Sequence, residues 1–285
     1  MSALAAFAPF AAFDALVAGV LAPGLLANLL MTGLLVLVCQ LLLWALSIRL
    51  RDASIVDIFW GPAFALIAVA TWLHVQGAGV ESRKLLIVAL TCIWALRLGI
   101  YIFLRSRGHG EDPRYTAFRK HAKGNENLFI LRNVFIAQGR SMWLTSLPVQ
   151  VGQFLLQPQA IGVVAWIGVA VWTAGFLFET VGDWQLARFR RDPANAGQIM
   201  QTGLWRYTRH PNYFGDACVW WGLFLIACDH WIGLLTIFAP WRMTNALINR
   251  TGKKLLEKKM RKSRPGYEEY IARTSGFFPW PPRKE

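Results

Sequence analysis

Residues 179–221 read ETVGDWQLARFRRDPANAGQIMQTGLWRYTRHPNYFGDACVWW, gathering carboxylates, arginines, an imidazole and a side-chain amide into one stretch. Arg188, Arg190 and Arg191 precede a Gly/Pro-containing loop, and Arg206, Arg209, His210, Asn212 and Tyr213 stand at the head of the next apolar run. Forked guanidinium donors match phosphate oxygens, and the N–H groups opening a helix point at the same kind of anion. Glu179, Asp183, Asn212 and Asp216 suit ribose hydroxyls and an amide. The chemistry indicated is nucleotide-cofactor binding without a Gly-rich loop, since no GxGxxG after a strand, no P-loop and no HExxH occurs. His74, His109, His121 and His230 are scattered, so no metal site is expected.

A second group consists of charges inside apolar runs, chiefly Asp57, Arg97 and Arg140. A charge in hydrocarbon must face a cavity or a partner. For Asp57 and Arg97 the plain alternative to chemistry is a salt bridge to each other, and for Arg140 it is snorkelling to the interface.

The elements that position these groups follow from composition. Of 285 residues 55% are hydrophobic and only 16% charged, against roughly 25% charged in soluble domains. This predicts an all-α, polytopic membrane bundle and argues against a soluble enzyme. Apolar runs cover residues 25–48, 55–75, 85–104, 134–156, 160–181, 213–227 and 231–248, about seven transmembrane helices, and residues 4–21 offer a doubtful eighth because Asp14 interrupts them. No basic residue precedes Arg49, which favours an uncleaved membrane segment over a signal peptide. The expected organisation is an N-terminal hydrophobic segment at 1–24, helices on the substrate side at 25–157, and a cofactor-binding half with a basic tail at 158–285.

The formal charge of +14, from 30 Lys and Arg against 16 Asp and Glu, first raises nucleic-acid binding. Alternating the spans assigns almost all of the excess to one side, leaving Arg83 and Lys84 on the other, so the basic loops and C-terminus are expected to be cytoplasmic. A cavity for the cofactor then opens to the cytoplasm, and nucleic acid loses its support. Residues 253–271 read as a basic amphipathic segment lying on anionic lipid. The four cysteines stand singly and imply no disulfide framework. No protein partner can be inferred.

Residues 203–216, GLWRYTRHPNYFGD, resemble the C-terminal signature of the steroid 5-alpha-reductase and sterol-reductase superfamily. Val56-Asp57-Ile58-Phe59-Trp60-Gly61, Glu111-Asp112-Pro113-Arg114-Tyr115 and the ending from Tyr267 to Trp280 are similar to a bacterial branch of it. The resemblance implies a bacterial inner-membrane reductase that binds NADPH from the cytoplasm and reduces an activated carbon–carbon double bond of a lipid arriving from the bilayer. It implies cofactor contacts at Glu179, Asp183, Arg190, Asn212 and Asp216, with Arg209, His210 and Tyr213 of the same motif, and a basic pair, Arg105 and Arg107, near the pyrophosphate.

Steroid reductases hold the substrate carbonyl with a Glu and a Tyr on successive helices. Here Asp57 stands for the first, in protonated form, while Trp94 occupies the tyrosine position and Tyr101 is the substitute two turns on. The RHPNY motif, with Leu256-Glu257, Tyr267 and Tyr270 downstream, is also similar to isoprenylcysteine and phospholipid methyltransferases, which bind S-adenosylmethionine. Gly215-Asp216 and the Arg188, Arg190, Arg191 cluster favour the reductase, because three phosphates need more cations than a sulfonium.

Overall fold

The computed structural model describes residues 13–250 and 252–283. Of the doubtful span at 4–21, residues 1–12 lie outside the described residues. Those described form helices and connecting turns, with two isolated bridges, Leu21 with Leu155 and Thr208 with Ser275.

Among the described residues four helices are long and apolar enough to cross a membrane: α1 (Leu25–Leu50), α2 (Ile55–His74), α3 (Glu81–Ser106) and α8 (Val163–Arg191). At 1.5 Å per residue each reaches about 30 Å or more, the thickness of the hydrocarbon core. The other three expected spans are built differently. Residues 134–156 fall across a π-helical segment, Leu131–Ile136, followed by α6 (Ala137–Thr145) and α7 (Leu147–Phe154), with Pro148 opening α7. The run at 213–227 lies in α9 (Pro211–Ala227), of 17 residues, and 231–248 breaks into a 3-10 turn, α10 (Phe238–Asn245) and a second π-helical segment. Two short helices, α4 (Pro113–Arg119) and α5 (Glu126–Ile130), follow α3, and α11 (Lys253–Ser263) and α12 (Tyr267–Arg273) end the chain.

The chain divides into two compact units, Met1–Gly162 with Ala227–Leu234, and Val163–Ile226 with Leu235–Glu285. In the first unit, α2 and α3 approach closely because Gly61 faces the Ala95 carbonyl and Gly99 faces the Pro62 ring. A buried polar layer joins α1 to α2 and α7. Asn28 donates to Thr71 Oγ1 at 3.2 Å and to Gln150 Oε1 at 3.0 Å, Thr32 donates to the same oxygen at 2.8 Å, and Gln150 donates to Ser146 Oγ. Away from water such side-chain bonds fix which helix faces meet.

In the second unit a glycine seam does that work. Gly168, Gly175 and Gly182 recur every seven residues on α8, and Gly215 and Gly222 do so on α9. Gly168 meets Gly222, Gly175 meets Gly215, and Gly182 meets Pro211, so the two backbones run antiparallel in direct contact. A Cβ on Gly175 would lie 2.6 Å from both the Gly215 carbonyl oxygen and Cys218 Cβ. Gly175→Ala is therefore expected to cost about 1–3 kcal/mol by overpacking. A fall in the thermal midpoint of the detergent-purified variant would show it.

Candidate functional site

The glycine seam sets the polar end of α8 against the head of α9. Glu179 and Asp183, one turn apart, are both buried at 3% exposure. Asn212 donates to Asp183 Oδ1 at 3.0 Å, and its own oxygen accepts from the Tyr213 N–H at 3.0 Å, so the amide orientation is set from both ends. Gln185, two residues beyond Asp183, accepts from the Leu204 N–H, and the Gly182 carbonyl accepts from the Trp205 indole at 3.0 Å. The loop before α9 is thereby tied back onto α8. Arg188, Arg190 and Arg191 occupy the last turn of α8 and are exposed, with Arg188 over the Trp184 ring. Cations suit the carbonyl end of a helix.

Two residues expected beside cofactor phosphates have other work. Arg209 is buried and donates through Nε to Glu257 Oε1 at 2.9 Å and through Nη1 to the carbonyls of Ile271 and Thr274. His210 Nε2 lies 3.1 Å from the same carboxylate oxygen, and its ring stacks on Tyr213. Burial on its own would raise the Glu257 carboxyl, but the hydrogen bonds from His210 and Arg209 and the Arg209 charge outweigh it and bring the group to about 2. Burial drives His210 below its ordinary range against the pull of Glu257. The pair is then carboxylate and neutral imidazole at neutral pH, with Nε2 as the protonated nitrogen because Glu257 can only accept.

This cluster seats the C-terminal segment on the motif. The Arg209 N–H donates to the Ser275 carbonyl, Thr208 Oγ1 to the Phe277 carbonyl and the Trp280 N–H to the Tyr207 carbonyl, while the Tyr270 hydroxyl donates to the Trp205 carbonyl. The segment read as lying on lipid thus contains, in Glu257, the central acceptor of the motif.

In the first unit, Asp57 in the first turn of α2 accepts from Tyr115 at 2.5 Å on Oδ1 and from Arg114 at 2.8 Å on Oδ2. Both Asp57 oxygens are thus engaged, one by the Tyr115 hydroxyl and one by the Arg114 guanidinium. Its ion-pair partner is Arg114, while the Arg97 guanidinium lies 5.4 Å over the Tyr101 ring and Arg105 lies 5.5 Å from the same ring. Arg105 closes α3 and Arg107 caps it, both exposed. Trp94 is wholly buried against Phe64.

Sequence reasoning passed over Tyr115 as a functional group, although it lies in the Glu111–Tyr115 motif. Its hydroxyl accepts from Gln138 Nε2 at 2.9 Å, and Gln138 in turn accepts from the Trp60 indole. Burial first, then the Asp57 charge, pushes the phenol far above its ordinary value, so it keeps its proton. Asp112 caps α4 through the Arg114 N–H and pairs with the Arg114 side chain, which places α4 against Asp57.

Among the described residues these features define an all-helical protein with four helices of membrane-spanning length and a buried carboxylate, Asp183, seven residues before Arg190 on the same helix and bonded to a half-buried amide, Asn212. The chain belongs to the DUF1295 family, described as of unknown function, which matches residues 43–274. It is also 26% identical over 262 residues to an uncharacterized protein of Schizosaccharomyces pombe, covering 83% of this chain and 75% of the yeast protein. No solved structure matches it.

Proposed function

We propose that the protein is a membrane-embedded reductase that uses NADPH to reduce an activated carbon–carbon double bond in a lipid. The observation that carries this reading is the hydrogen bond from half-buried Asn212 to buried Asp183, with Glu179 one turn before it on α8 and exposed Arg190 about two turns after it. Carboxylates and an amide fit the ribose hydroxyls and carboxamide of a nicotinamide nucleotide, and the arginines fit its phosphates. Asp216 and Tyr213, one turn apart on α9, complete the polar groups of this unit. Arg209 and His210 act through Glu257 and hold the motif in shape. When bound, NADPH supplies the hydride that the β-carbon of an enone accepts.

The reaction also needs a hydrogen-bond donor for the enone oxygen, where negative charge develops. Tyr115 takes the place expected of Tyr101. It keeps its proton and is aligned by Gln138, and a carbonyl oxygen replacing Asp57 as its acceptor would receive that bond. Asp57 holds the hydroxyl in position until then.

We read the protein as having about seven spans in all, with its basic loops and C-terminus on the cytoplasmic face of a bacterial inner membrane and a cofactor cavity open to that side. The four long apolar helices support membrane residence. Burial of Arg83 and Lys84 supports the orientation, because the two basic residues of the opposite side are neutralised within the fold.

Titrating the purified protein in detergent with NADPH and separately with S-adenosylmethionine tests the reading. Saturable binding of NADPH is expected, weakened about tenfold in Arg190→Ala by loss of a charge-assisted phosphate contact. Saturation by S-adenosylmethionine alone would overturn the reductase in favour of a methyltransferase.

A further inference from the structure

Within the first unit, a charged cavity and an apolar groove follow one another along α1. The cavity, of about 530 Å³, lies at the C-terminal end of the helix between Trp44, Ser47 and Arg51 on one side and Glu111, Arg119 and Glu126 on the other. The groove, of about 450 Å³, begins on the same helix just before it, where Leu30, Leu34 and Leu37 face Ile136 and Trp143. From Trp44 to Leu34 is about 15 Å of helix, half the thickness of a hydrocarbon core.

The charges in the cavity are not equivalent. Arg119 is committed to the two carboxylates, donating to both oxygens of Glu111 and, at 2.7 Å, to Glu126 Oε1. Glu111 is closed as well, accepting from the Ala53 N–H and the Thr116 hydroxyl. Burial alone would raise its carboxyl, but these bonds and Arg119 hold it below the usual range, so it stays charged. Two groups keep capacity. Arg51 is exposed and pairs with no carboxylate among the described residues, and Glu126 is half exposed with Oε2 outside its bond to Arg119. The cavity therefore offers one cation and one carboxylate oxygen, at the end of a membrane-spanning helix whose apolar groove continues from it.

We infer that this seam binds a zwitterionic phospholipid with a primary-amine headgroup, its phosphate on Arg51, its ammonium on Glu126 and one acyl chain along the α1 groove. An anionic headgroup without an amine would meet Arg51 but also two carboxylates. A quaternary amine would have no N–H for Glu126. The inference is independent of the cofactor.

The test is retention of lipid by full-length protein exchanged into nanodiscs of equal parts dioleoyl phosphatidylethanolamine, phosphatidylglycerol and phosphatidylcholine, followed by mass spectrometry of the lipid carried into detergent. Phosphatidylethanolamine is expected to exceed each of the others several-fold. Arg51→Gln should lower its retention about tenfold, and Glu126→Gln, which keeps a neutral bond to Arg119, should abolish its advantage over phosphatidylcholine. Circular dichroism on both variants establishes that they remain folded. Equal retention of the three lipids, or wild-type retention of phosphatidylethanolamine in folded Arg51→Gln, overturns the inference. Soluble glycerophosphoethanolamine should fail to displace the lipid; displacement at equimolar concentration would overturn the acyl-chain seat.

Discussion

Glu257→Ala is expected to lower the stability of the second unit by about 3–5 kcal/mol, the range for removing one partner of a buried ion pair. The substitution leaves Arg209 buried with only the Ile271 and Thr274 carbonyls as acceptors and deprives His210 of its partner. Because the same carboxylate anchors Arg209, the C-terminal segment paired with residues 207–209 should loosen, and limited proteolysis after the basic residues of α11 should speed up with the loss of thermal stability. The pH dependence has a definite sign. The unfolded carboxyl binds its proton near pH 4.3 and the folded one near 2, so between these values the unfolded state holds more protons and stability rises with pH. The contribution, about 3 kcal/mol by this linkage, is complete above roughly pH 5 and disappears as pH falls through 2. His210, held below its ordinary range, acts in the same direction: its stabilisation is complete above about 6.5 and declines as pH falls. Glu257→Gln should flatten the acid limb of the melting curve relative to wild type. An unchanged limb would mean that Arg209 and His210 do not rely on Glu257.

The helices that were legible beforehand are those whose apolar runs reach membrane length without interruption, α1, α2, α3 and α8. Residues 134–156 and 231–248 are apolar but less strongly so, and they bend through π-helical and 3-10 segments, a backbone hydrogen-bond pattern that hydropathy does not register. The glycine seam was present as a seven-residue spacing, but a spacing acquires meaning only with its partner helix, and Gly215 lies 40 residues beyond Gly175. Long sequence separation also hid two of the side-chain clusters. Arg209 looks like a phosphate ligand until Glu257, 48 residues on, is placed against it, and Asp57 looks like a partner for Arg97 until α4 brings Tyr115 and Arg114 to it from 58 and 57 residues away. By contrast, Asp183 and Asn212 sit on helices joined by one loop, which is why a local reading of the motif put them in one site.

Arg83→Ala is the second substitution with a large expected effect, about 3–5 kcal/mol on the first unit. Arg83 opens α3, is fully buried, and donates through Nη2 to Asp229 at 3.2 Å and to the Pro158 carbonyl at 2.7 Å. Asp229 also accepts from the Gly162 N–H at 2.8 Å, so one ion pair joins α3, the loop at 158–162 and the segment Ala227–Leu234 that returns to this unit from the other half of the chain. Removing the guanidinium strands a carboxylate with a single N–H partner, and Asp229→Ala strands the guanidinium with a single carbonyl. Removing both charges avoids either penalty: in Arg83→Met/Asp229→Leu most of the loss should be recovered, because an apolar pair of similar volume needs no compensation. The comparison of single and double variants by thermal midpoint separates a paired charge from two independent packing residues. If the double variant loses the sum of the two single losses, the pair is not what holds Ala227–Leu234 in place. Recovery would show that Arg83 and its neighbour Lys84 answer to the fold: Lys84 likewise donates to the Val75 and Ala78 carbonyls and pairs with Glu81.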